Sequence, residues 1–277
     1  MRPRRPRVRL GKGLGWLLPA LLVLVVVTLV PIGRLVWTSL HRSTTTSDSF
    51  VGLDNYTDLI TNRTWWLAVA TTLVVVASVV LAQVVLGVLF GAAIHRIWPV
   101  ARVVVLIPLL LLSVVNVVAW RDAASGGYLT EWFGIGSTDG SAGAQLVAVT
   151  IGEVWRGTGL VAAVVALALT AVPASLSAAA VADGATGLQR WRRVVLPSIA
   201  PALAGVTAFR VFDTYRVLDG PLLADDSSLR TAPLLTWTTQ FSAFELGLGA
   251  AMSVLVLLVA VILAALVLPL IRVRRLL

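Results

Sequence analysis

Six separate stretches of this chain run for about twenty residues or more with few or no charges, at 14–40, 66–94, 101–120, 145–172, 197–218 and 247–271. A helix gains roughly 1.5 Å per residue, so about 20 apolar residues cross the ~30 Å hydrocarbon core of a bilayer. Lipid offers backbone N–H and C=O groups no water to bond, so spans of this kind are helical. Composition closes off the soluble alternative, because 58% hydrophobic and 13% charged residues leave too little polar surface to cover one water-facing domain of 277 residues. The fold class expected is all-α, a polytopic membrane protein with about six transmembrane helices. Residues 1–277 then form a single transmembrane domain with a basic tail at 1–13 and a polar loop at 173–200.

The net charge of +9 has a topological explanation. With a cytoplasmic amino terminus, the inside segments hold 14 basic residues, from Arg2 to Lys12, at Arg96 and Arg102, at Arg190, Arg192 and Arg193, and from Arg272 to Arg275, against Asp183 alone. The outside loops hold 4 basic residues, Arg42, Arg63, Arg121 and Arg230, against 10 acids. Lysine and arginine accumulate on the cytoplasmic side, so this bias places both termini there and makes the basic clusters partners of lipid rather than of nucleic acid. The tail followed by the apolar run from Trp16 has the look of a signal peptide. The run continues through Pro31 to Leu40 with no small-residue cleavage site after Val30, which argues for a first span instead.

Several chemistries are excluded or left without support. Cysteine is absent, which removes disulfides, thiolate metal sites and cysteine nucleophiles. His41 and His95 fall on opposite sides of the membrane in this topology, so no histidine metal site is expected. The only lysine is Lys12, in the tail, so a phosphate-binding loop ending in Gly-Lys-Ser/Thr does not exist and the chain itself has no such route to ATP hydrolysis. No Ser-His-Asp set or zinc-protease helix is evident either, and the chain is not expected to be an enzyme.

Six charges remain at membrane depth: Arg34, Glu153, Arg156, Arg210, Asp213 and Arg216. Charges there face the bundle interior or a wet cavity. Arg34 lies far enough along the first span to reach the outer interface. Glu153 and Arg156 share a face of the fourth helix by their three-residue spacing, and Arg210, Asp213 and Arg216 repeat that spacing on the fifth. Two readings stand side by side: internal ion pairs that fix helix packing, or groups lining a solute pathway, where hydroxyl-rich solutes take bidentate polar partners. Tryptophans near helix ends, including Trp37, Trp65, Trp66, Trp98 and Trp237, read as interfacial anchors, with Trp120 and Trp155 as candidate stacking residues on the pathway. Gly87 and Gly91 form a small-xxx-small pair that permits close helix approach.

The loop between the fourth and fifth spans starts at Pro173 as an alanine-rich helix former and is interrupted at Gly184. It resumes with Leu188, Trp191 and Val195 before Pro197 and Pro201, which predicts two short helices with a hinge, presented to the cytoplasm. Ala179, Ala180, Asp183, Gly184, Ala185, Leu196, Pro197 and Pro201 fall in register with Glu-Ala-Ala-x-x-Asp-Gly-Ala followed by Leu-Pro-x-x-x-Pro. In this pattern the chain resembles the permease subunits of binding-protein-dependent ABC importers. Gly52–Tyr56, Leu106–Pro108 and Phe212–Pro221 are similar to the carbohydrate branch related to the larger maltose permease subunit. Trp65–Trp66, His95–Arg96, Glu153–Arg156 and Gly247–Gly249 look most like trehalose-importer permeases of mycobacteria.

The resemblance implies a type I importer permease fold in the cytoplasmic membrane, moving a sugar, a disaccharide such as trehalose, into the cell. It implies a second permease subunit as heterodimer partner, two ATPase subunits that bind ATP and magnesium, an extracytoplasmic sugar-binding protein, and no cofactor on this chain. It also assigns residues near 176–192, with Ala178, Ala179, Ala180, Asp183, Gly184, Ala185, Arg190, Leu196 and Pro197, to a coupling loop that inserts into the ATPase. Ala178 stands where the family has glutamate, which leaves the charged contact to Arg190, Arg192 or Arg193. The competing expectation is an ion-coupled secondary transporter using Glu153 and Asp213, disfavoured by the lack of a detectable inverted repeat. A polytopic membrane enzyme is the remaining alternative and lacks a catalytic cluster.

Overall fold

A computed structural model describes residues 10–95, 142–216 and 230–267, together with the isolated helical positions 104, 107, 115 and 119. Five described helical runs are long and apolar enough to cross a membrane: Leu22–Ser39, Arg63–Ile94, Val149–Thr170, Gly187–Tyr215 and Leu246–Val267. They match the first, second, fourth, fifth and sixth expected spans, and the expected third span at 101–120 lies outside the described residues apart from those four positions. Helix α1 (Leu10–Ser39) exposes Leu22 to Val27 along its length, as an apolar rod does when lipid or another chain is its solvent.

The described residues fall into two compact units. One combines the stretch up to Leu59 with Thr238–Val254. Here the structure adds what the all-α expectation omits, a two-stranded antiparallel hairpin of β1 (His41–Ser43) and β2 (Asp48–Phe50), followed by α2 (Asp54–Thr61). Thr44 closes the turn by donating its N–H to the Ser47 carbonyl at 2.9 Å. Buried Asn55 then ties helix to hairpin, its Nδ2 donating to the carbonyls of Ser39 at 2.8 Å and His41 at 2.9 Å. The start of α8 (Leu246–Val267) packs here through Gly247, where a Cβ would collide with the His41 carbonyl oxygen.

The other unit holds the functional candidates. Helix α3 (Arg63–Ile94) begins at Asn62, whose side chain accepts from the N–H groups of Thr64 at 2.8 Å and Trp65 at 3.3 Å. It packs along α4 (Ala142–Thr170). The close approach depends on Gly87 and Gly91, since a Cβ would lie 2.5 Å from the Val161 Cβ at the first and 2.7 Å from the Val165 Cβ at the second. Val161 and Val165 then join Ile199 and Val206 of α7 (Leu196–Tyr215) in one apolar core.

The tryptophan pair at the head of α3 divides. Trp66 is exposed and donates its indole N–H to the Ile60 carbonyl at 2.7 Å, as an anchor would. Trp65, expected as a second anchor, is instead buried with Ala68, Val69 and Thr72. Adjacent helical residues differ by about 100° in direction, so both cannot face outward, and Trp65 shares the inward stripe at i+3, i+4 and i+7.

A second core joins Val76, Val80, Val211, Tyr215 and Ala260. Tyr215 is 1% exposed and its hydroxyl has no hydrogen-bond partner among the described residues. Removing an unpaired buried hydroxyl relieves a desolvation penalty and loses no bond, so Tyr215→Phe is expected to leave stability unchanged or to raise it by up to about 1 kcal/mol. A thermal melt in detergent reads this directly, and a clear fall in Tm would mean that the hydroxyl is bonded in the assembled protein.

Candidate functional site

Two sites emerge, one inside the membrane-spanning bundle and one at the loop. The first is a polar knot tying α3, α4 and α7. Glu153 and Arg156, three apart on α4, pair directly, with Arg156 Nη2 donating to Glu153 Oε2 at 2.8 Å and Nε to Oε1 at 3.2 Å. Arg210 and Asp213 repeat the arrangement on α7, Arg210 Nη1 donating to Asp213 Oδ2. Cross-links close the set: Arg156 Nη2 reaches Asp213 Oδ2 at 3.4 Å, and Arg210 Nη2 lies 3.8 Å from Glu153 Oε2. Two guanidinium groups thus alternate with two carboxylates, and the four charges sum to zero. In a low-dielectric interior such neutrality is required, because one unpaired ion costs several kcal/mol.

Gln83 is the member of this knot that sequence reasoning passes over. Its Nε2 donates to the Glu153 carbonyl at 2.7 Å and its Oε1 accepts from Arg210 Nε at 2.9 Å, so one fully buried amide bridges α3 to both other helices. The signal was present, since Gln83 is the one amide side chain in the apolar run 66–94. Gly157 makes room for the knot, as a Cβ there would stand 2.6 Å from Arg210 Cζ.

Exposure sorts the pathway candidates. Arg210 and Glu153 are 0% and 2% exposed and spend their polar atoms on the knot. The Asp213 side chain is 21% exposed and sits on the knot's open side. Arg216, 56% exposed, reaches Asp213 Oδ1 at 3.8 Å and lies with Cζ 4.9 Å from the Phe212 ring centroid. Trp155 is 40% exposed, and Trp120 lies outside the described residues. The structure therefore brings Glu153, Arg156, Arg210, Asp213 and Arg216 together.

The second site is the loop. Helix α5 (Ala174–Ala182) ends in a complete Schellman motif, the Ala185 N–H donating to the Ala180 carbonyl at 2.9 Å and the Gly184 N–H to the Val181 carbonyl at 3.0 Å. That motif needs a left-handed residue, and Gly184 supplies it at φ +77°. Thr186 then starts α6 (Gly187–Arg190) with a capping box: its Oγ1 accepts from the Gln189 N–H at 3.3 Å and its own N–H donates to Gln189 Oε1 at 2.9 Å. The Thr-x-x-Gln spacing announces this box in the sequence. Ala178, Ala179 and Asp183 are exposed, Ala180 and Ala185 half-buried, and Leu176, Val181 and Leu188 present bare apolar surface.

One expectation for the loop is corrected. Pro197 and Pro201 do not end the second helix, which runs on from α6 through a π-helical turn (Trp191–Val195) into α7 as one span. Proline lacks an N–H and crowds the carbonyl four residues back. The wide turn before Pro197, in which the Leu196 N–H donates to the Trp191 carbonyl, absorbs that defect without breaking the rod. Leu196, Pro197 and Arg190 are half-buried on this continuous helix rather than on a free loop.

No protein-family model matches the chain. It is 34% identical over 249 residues to the trehalose transport system permease protein SugA of Mycobacterium tuberculosis, covering 86% of this chain and 81% of that one. It is 28% identical over 262 residues to the trehalose/maltose transport system permease protein MalF of Thermococcus litoralis, covering 87% and 88%. Among solved structures, a chain of a bacterial ABC transporter involved in the import of the acidic polysaccharide alginate superposes with TM-score 0.75 at 17% identity, over 96% of this chain and 99% of that one.

Proposed function

Given that this chain belongs to the permease subunits of ABC sugar importers, a multi-pass family of the cell membrane, we propose that it carries a disaccharide of the trehalose type into the cytoplasm. The observation that carries the choice of sugar is similarity along most of the chain to two permeases named for trehalose. ATP and magnesium bind a partner ATPase in this reading, since Lys12 cannot serve a phosphate-binding loop here. A second permease subunit completes the pathway, two ATPase subunits dock from the cytoplasm, and an extracytoplasmic sugar-binding protein delivers the solute. Six spans and two cytoplasmic termini belong to the same proposal.

Docking falls to the α5–α6 corner. A cytoplasmic corner with exposed Leu176, Val181 and Leu188, pinned by a Schellman motif and a capping box, is stiff enough to transmit a push and apolar enough to seat in a cleft. Arg192 and Arg193, exposed and without an acidic partner among the described residues, supply the charge that Ala178 lacks. Solute contacts from this chain come from the open side of the polar knot, Asp213 and Arg216, with Glu153, Arg156 and Arg210 holding them in place.

The deciding experiment is purification of the tagged protein in mild detergent with whatever accompanies it, followed by reconstitution into vesicles. ATP supplied on the loop side is expected to drive uptake of labelled trehalose that a protonophore leaves untouched. Uptake driven by a proton gradient without ATP would overturn the reading in favour of an ion-coupled transporter.

A further inference from the structure

A groove of ≈ 700 Å³ opens where α3 and α4 end and the loop helices begin. It is lined by apolar Ala93, Leu169 and Val172 and by polar or amphipathic Ser177, Arg190 and Trp191. The Arg190 side chain makes no ion pair among the described residues, and Arg192 and Arg193 stand exposed beside it. The charge bias places this groove at the cytoplasmic surface, at the depth where anionic headgroups concentrate.

We propose that this groove holds an anionic phospholipid of the cytoplasmic leaflet, its phosphate at Arg190 and an acyl chain along the apolar lining. A guanidinium offers a planar fork of donors that matches a phosphate, and an indole is at home where headgroup meets chain. Arg190, without an ion-pair partner among the described residues, gives the groove a positive charge and favours an anionic lipid over a zwitterionic one. The lipid would brace the joint between the spans and the docking corner. The inference uses only the cytoplasmic placement of the loop and is indifferent to the sugar carried, so its failure leaves the transport reading standing.

The test uses the full chain with its co-purified partners in nanodiscs of mixed phosphatidylglycerol and phosphatidylcholine, with bromine on the acyl chains of one lipid or the other. The signal is tryptophan quenching in the protein minus that in Trp191→Phe. Brominated phosphatidylglycerol is expected to quench the Trp191 share more strongly than brominated phosphatidylcholine. Arg190→Gln should weaken that preference by about fivefold, and Arg190→Lys, which keeps the charge and reports on folding, should retain most of it. Equal quenching by the two lipids, or an unchanged preference in Arg190→Gln, would overturn the proposal. A preference erased by soluble glycerol 1-phosphate would reassign the groove to free phosphates, and one seen only after the ATPase is stripped away would reassign it to the protein interface.

Discussion

Arg210→Leu is expected to lower the melting temperature of the purified protein by on the order of 10 °C and to cut its recovery as a monodisperse species. Arg210 is wholly buried and bonds Gln83, Asp213 and Thr214 while standing 3.8 Å from Glu153. Its loss leaves the buried Glu153 and Asp213 facing Arg156, with only the exposed Arg216 at 3.8 Å on the open side of Asp213, and so one negative charge in excess within the buried part of the knot. Breaking a buried pair from one side costs about 3–5 kcal/mol, largely through the stranded partner. Restoring neutrality with Arg210→Leu and Asp213→Asn together should therefore return part of the lost stability, although one more polar side chain has been altered. A single variant that melts like the parent, or a double variant worse than the single, would show that the knot does not act as a neutral unit. Arg210 is for the same reason a poor candidate for binding solute itself, since its polar atoms are spent on Gln83, Asp213 and Thr214.

Gly184→Val is expected to leave insertion and folding of the spans intact and to reduce ATP-driven uptake by about 5- to 30-fold while ATP hydrolysis continues. Nothing lies within 4 Å of a Cβ at this position, so crowding is not the cause. The cause is φ +77°, a left-handed conformation that costs a β-branched residue roughly 1–2 kcal/mol. The chain escapes that strain by opening the Schellman motif, and the angle between α5 and α6 is lost with it. Gly184→Asn, which tolerates the left-handed region better, should be much milder. Uptake at the parental rate in Gly184→Val would count against a rigid corner as the transmitter of the ATPase stroke.

The span positions and the all-helical character of the membrane region were legible because both follow from hydrophobic length, a property that needs no knowledge of neighbours. Five of the six expected spans reappear among the described residues, the second, fourth and sixth within about four residues of their sequence limits, whereas the fifth begins at Gly187, ahead of the expected 197. The loop was legible in part for the same reason: a left-handed glycine after an alanine-rich helix is a local signal, and so is Thr186 three residues before Gln189. The hairpin at His41–Phe50 was not legible, since two three-residue strands carry too few side chains to show an alternating pattern. The path through Pro197 was misjudged because the rule that proline ends a helix ignores a neighbouring bundle able to hold the rod together across a wide turn.

What the sequence determined by itself is therefore what one residue or one turn of chain can decide: which stretches prefer lipid, and where a local cap such as Gly184 or Thr186 ends or starts a helix. It also determined that Glu153 with Arg156, and Arg210 with Asp213, share helix faces. Only the tertiary structure decided that these two pairs meet, that Gln83 bridges them from 127 residues before Arg210, and that Trp65 turns inward while Trp66 faces out. The physical reason is that pairing across helices depends on how close their backbones come, and here that distance is set by Gly87, Gly91 and Gly157, residues whose effect lies in the side chains they lack.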